Sequence, residues 1–176
     1  MWKRATWHEC ADELEQISEA FRNAYWGRRH GSSWPRHPED ERMMAETSKD
    51  GVQLLRALAV AVRAEQDFAL VPNAVAVCVG ALKERDAEPH DVIQAKQNHG
   101  YEGLLRSVGY VPLGLRQALN KIVHADPRRA DYYVGAWNPV HELLLFGTDR
   151  GHAWFAAISI PELAKAIRTL PDAAMV

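Results

Sequence analysis

Arg116, Asn120 and His124 recur at intervals of four residues within Leu115–Asp126 (LRQALNKIVHAD). At about 100° per residue, Leu115, Ala118, Leu119, Ile122 and Val123 fill one broad face of a helix there, and the three polar residues fall in a strip beside that face. Such a rim position partly desolvates them while leaving room for a ligand. A guanidinium can hold a phosphate in a fixed fork, an amide can orient an oxygen, and an imidazole can serve as general base or acid. Together these are the parts needed to cleave RNA through its own 2′-hydroxyl without a metal. Lys121, Arg128 and Arg129 lie close in sequence and are candidate phosphate contacts. The same residues also have a structural reading. His124 is placed to bond free carbonyls in the last turn of its helix, Asn120 to tie the helix to a loop, and Arg116 to lie in solvent.

The stretch from Leu115 to Asp126, at the end of a helical region, resembles the late helix of HEPN-type proteins, nucleotide-binding helical domains of prokaryotic defence and toxin systems. In that family an arginine, a polar residue and a histidine on one helix form a metal-independent ribonuclease site when two copies pair across a dimer. Asn120 and His124 match the polar residue and the histidine. Arg116 is the nearest arginine preceding them, separated from His124 by seven residues, a wider spacing than the family's, with Leu119 directly before Asn120. The resemblance implies a mainly α helical bundle, a homodimer, RNA as substrate or ligand, and His124, Asn120 and Arg116 as the catalytic set. Family members with an incomplete motif are often binding or scaffold domains.

The elements around that helix follow from periodicity. With 176 residues the chain fits one domain with a proper core. Thr6-Trp7-His8-Glu9 has the form of a capping box, and Leu14, Ile17, Phe21, Ala24 and Tyr25 predict a helix over 6–26. Glycines and prolines make 27–38 a loop. Met43, Met44, Leu54, Leu55, Leu58 and Val62 predict one long helix or two, with two preferred because Thr47-x-x-Asp50 can cap the second. Residues 74–82 read as a buried helix, although Val75, Val77 and Val79 alternate as a strand does. Helical segments follow Pro89 and Tyr101, and Pro112 suits the first turn of a helix running to His124. His141–Phe146 and His152–Ile160 read as a β-hairpin around a five-residue loop from Gly147 to Gly151, and Pro161 starts a final helix to Leu170. The expected architecture is mainly α: a helical bundle over 6–126, a hairpin over 141–160 and a terminal helix over 161–170.

Composition narrows the chemistry. A net charge of −2 gives no global basic excess to drive nonspecific nucleic-acid binding, so any RNA contact must be a local patch. Cys10 and Cys78 form no CxxC pair, and neither HExxH nor a carboxylate cluster appears, so no metal or other cofactor is expected. Acidic residues follow Lys3 and Arg4 where a signal peptide needs an apolar run, and no apolar stretch reaches the roughly 20 residues of a membrane span; the expected location is the cytoplasm, with no membrane contact. Trp26–His37 interleaves cations with tryptophans, which suits either phosphate-and-base contact or a basic surface loop. Three functions are therefore expected in order: an RNA-binding or RNA-cleaving protein, a noncatalytic interaction module for a protein partner, and a small-molecule or nucleotide-binding domain with a pocket between bundle and hairpin.

Overall fold

Trp7, Ala11, Leu14, Ser18, Phe21 and Ala24 are buried at helical spacing along α1 (Trp7–Trp26). The matching stripe on α2 (Pro38–Asp67) is Gly51, Leu55, Leu58, Ala59 and Val62. The two apolar stripes bring the helices together. The computed structural model describes residues 7–26, 38–67, 77–134 and 140–171, so the Trp26–His37 loop, from residue 27 onward, lies outside the described residues. The expected break in α2 is absent: Gly51 is buried against Ile17, so this glycine serves the close approach of two helices rather than a helix end.

The remaining described elements are β1 (Cys78–Lys83), α3 (His90–Gln97), α4 (Tyr101–Leu104), β2 (Val111–Gly114), α5 (Leu115–His124), β3 (Asp131–Val134), β4 (His141–Asp149), β5 (His152–Ser159) and α6 (Ile160–Arg168). The strands form one five-stranded antiparallel sheet in the order β2-β1-β5-β4-β3. The architecture is therefore α+β, which corrects the expectation of a mainly α bundle carrying only a hairpin.

Side-chain alternation divides the core in two. Trp154, Ala156 and Ile158 of β5, with Leu143 and Leu145 of β4, face α1, α2, α5 and α6. Phe155 and Ala157, with Leu144 and Phe146, face α3 and α4. This two-sided covering explains two misread segments. β1 lies inside the sheet between β2 and β5, so its residues are apolar on both faces with no apolar–polar alternation to read, and residues 74–76 of the expected helix lie outside the described residues. β2 is at the edge, where Pro112 needs no ladder N–H, so a proline suited to a helix start sits in a strand instead.

The hairpin is tighter than expected. β4 and β5 pair as far as Asp149 and His152, leaving Arg150 and Gly151, both with positive φ, as a two-residue turn. A Cβ on Gly147 would overlap the Trp154 ring at Cζ2 and lie 3.0 Å from the His124 carbonyl oxygen. The missing side chain thus lets Trp154 and the end of α5 close over the hairpin. Ser159 caps α6 by accepting the Glu162 N–H at 3.3 Å, and Arg168 ties α6 to α1 through Glu15 at 2.9 Å and Asp12 at 2.6 Å.

Candidate functional site

α5 buries Leu115, Ala118, Leu119 and Ile122 and leaves Arg116 and Asn120 half-buried and His124 exposed. Arg116 donates to the Asp67 carboxylate of α2 at 2.6 Å, and this bond holds the Asp67 carboxyl below its ordinary range. Asp126 is used by the turn after α5: its N–H donates to the Phe146 carbonyl at 2.8 Å, and its side chain accepts the Arg128 N–H at 2.9 Å. The phosphate-binding candidates separate. Lys121 Nζ lies 4.4 Å from the Trp154 ring centroid, where burial lowers its pKa against the opposing pull of Asp149 and Glu84. Arg129 lies 4.1 Å over Phe146, a ring of the opposite core. The sheet therefore stands between the rings that Lys121 and Arg129 cover. Arg128 is exposed.

A cavity opens elsewhere, at the β3 edge of the sheet. It holds about 370 Å³ and is walled by Phe21 and Tyr25 of α1, Met44 and Ser48 of α2, Tyr132 of β3, and a charged pair. That pair is Lys96 of α3 and Asp131 of β3, joined at 2.7 Å. Because β3 terminates the described sheet, the cavity reaches round its edge. Aromatic rings line the side of α1 and α2, and charges line the side of α3. The volume is within the range of small-ligand sites.

The aromatic wall is rigidly backed. Phe21 packs on Tyr132 at 5.3 Å between centroids and stacks on His141 at 4.4 Å and 11°. The Tyr132 hydroxyl donates to the Ser48 carbonyl at 3.2 Å, and burial raises its pKa, keeping it a donor. His141 is 2% exposed, with Nδ1 at 2.9 Å from Ser18 Oγ. Burial, and secondarily the Arg22 charge, push its pKa down to about 3, so the ring is neutral at physiological pH. His141 Nε2 and Arg22 Nε are buried without a hydrogen-bond partner among the described residues.

A second polar group secures the other face. Asp91 accepts from Lys83 at 3.0 Å, from the Glu88 N–H at 2.7 Å and from the Tyr110 hydroxyl at 2.5 Å. Burial works against its charge, but the bonds from Tyr110, the Glu88 amide and Lys83 prevail and lower its pKa. All these partners are internal, which marks a structural network.

None of the cavity residues was a candidate from sequence. They come from four separate elements, so no local spacing in the sequence joins them. Among the described residues no group of His, Cys, Asp and Glu is arranged to hold a metal, and no helix is long and apolar enough to cross a membrane. Compared with known proteins, the chain matches no family model, no curated protein and no solved structure.

Proposed function

We propose that the protein is a small-molecule-binding domain whose cavity at the β3 edge takes a planar, partly polar ligand of nucleobase or nucleoside type. The supporting observation is the wall itself. Tyr25 and Tyr132, backed by the Phe21–His141 stack, offer faces for a ring, while the Lys96–Asp131 pair across the cavity offers one donor group and one acceptor group. Met44 beside the rings adapts to ligand shape. A thermal-shift series with nucleobases, nucleosides and nucleotides tests this. A ligand present at 100 times its Kd stabilises the fold by about 2.7 kcal/mol, and the shift should vanish in Tyr25→Ala. No shift with any of these compounds, or an undiminished shift in the variant, would overturn the proposal.

The second reading is RNA binding or metal-independent cleavage at the α5 strip by a HEPN-like protein acting as a homodimer. It is favoured by Arg116, Asn120 and His124 sharing one side of α5 at the rim of the core, with His124 and Arg128 exposed. Within one chain Arg116 and His124 stand about 12 Å apart along the axis, from 1.5 Å per residue, so this chemistry needs a second copy. Cleavage of RNA in the presence of a chelator, lost in His124→Ala, would support it; RNA neither bound nor cleaved by a dimeric preparation would exclude it.

A further inference from the structure

The geometry points to a protonation-controlled latch: the Glu142 carboxyl fastens the α3–α4 cover to the sheet when neutral and loosens it when ionised. Glu142 is 1% exposed on the face of β4 that α3 and α4 cover. Its Oε1 accepts the Tyr101 N–H at 2.8 Å, the first amide of α4. Its Oε2 is buried with no hydrogen-bond partner among the described residues. A neutral acid keeps the bond to Tyr101 and leaves no charge in the interior, whereas a carboxylate there is a buried anion.

Among the described residues no cation acts on Glu142 to compensate such a charge. Tyr101 and Glu102 face Glu142 from α4, and Ser159 stands opposite it on β5 and Tyr133 on β3 in register. Glu162 of α6 and Cys78 of β1 act on the adjoining Tyr101. The charge that acts on Glu142 from the described residues is that of Glu102, of like sign. Burial, reinforced by Glu102 and opposed by the Tyr101 amide, raises its pKa from 4.5 to about 7.

The cover has a bend at the latch. His99 and Gly100, with φ of 61° and 97°, are consecutive left-handed residues between α3 and α4, and a Cβ on Gly100 would collide with the Glu142 carboxyl. Two other attachments hold the cover on the α3 side of the latch: the Asp91 network at the start of the helix, and Lys96 on Asp131 at the cavity. Release of Glu142 would loosen the cover just past Lys96 and with it the cavity wall that Lys96 forms. That last consequence rests on the cavity reading; the latch itself does not.

Hydrogen exchange of the Tyr101, Leu104 and Leu105 amides between pH 4.5 and 8, corrected for intrinsic rates, tests the latch without a ligand. The opening constant should rise about tenfold per pH unit from 4.5 to 7, about 300-fold in all, and then level off, since only within that window does the open form release a proton the closed form keeps. In Glu142→Gln the profile should be flat. Glu102→Gln, an exposed change, should lower the pH at which levelling begins. A flat wild-type profile, or the same slope in Glu142→Gln, would overturn the latch. Should that variant fail to fold, the carboxyl-carbon NMR titration of Glu142 decides: a midpoint near 7 upholds the latch, and one near 4.5 refutes it.

Discussion

Gly147→Ala should cost about 2–3 kcal/mol although it adds a single methyl group. The new Cβ would lie 2.5 Å from Trp154 Cε2, against an ordinary carbon contact of about 3.5–4.0 Å. The indole must therefore withdraw by about 1 Å or more. It has little freedom to do so: Trp154 is 1% exposed, Lys121 lies over it, and the His124 carbonyl closes the other approach at 3.0 Å. The alanine's smaller unfolded-state entropy returns only about 0.5–1 kcal/mol. For a chain of this length each kcal/mol lowers Tm by about 2–4 °C, so thermal denaturation should show a fall of about 5–10 °C. The cause is separable by a double-mutant cycle. Trp154→Leu alone should cost about 2–4 kcal/mol, but in that background Gly147→Ala should cost less than about 1 kcal/mol, an interaction of about 2 kcal/mol. Equal costs in both backgrounds, or a Tm unchanged by Gly147→Ala alone, would refute the argument that this glycine exists to seat Trp154 and α5.

Two further outcomes follow. His141, with its pKa lowered from 6.5 to about 3, contributes stability that is present above 6.5 and lost on acidification, while Glu142, raised from 4.5 to about 7, contributes stability that is present below 4.5 and lost as pH rises to 7. From pH 4.5 to 6.5 the two slopes oppose at about 1.4 kcal/mol per unit each, so urea denaturation should find their summed contribution nearly level in wild type and rising with pH in Glu142→Gln; a level variant would contradict the assignment. Asp91→Ala should cost about 2–3 kcal/mol, because the Tyr110 hydroxyl and the partly buried Lys83 lose their shared acceptor, and chemical denaturation showing under 1 kcal/mol would sink that estimate.

Sequence patterning located what one-sided burial controls. α1, α5 and α6 have one covered face, so their apolar stripes were readable, and so was the β4–β5 hairpin from its apolar strands and flanking glycines. The sheet as a whole was not. β1 is covered on both faces and shows no period, β3 is four residues long, and Pro112 and Gly51 carry local signals that their surroundings override. The α5 strip was legible because its residues lie on one helix. The cavity was not, since Phe21, Ser48, Lys96 and Tyr132 meet only after α1, α2, α3 and β3 pack around a sheet edge. Long-range pairing of that kind leaves no spacing to read.

Backbone amide NMR of the labelled protein titrated with a nucleoside monophosphate tests the central claim most directly. The account predicts saturable shifts concentrated at Phe21, Tyr25, Ser48, Lys96 and Tyr132, the residues that wall the cavity. Shifts confined to Arg116–Arg129, or none at millimolar ligand, would contradict it.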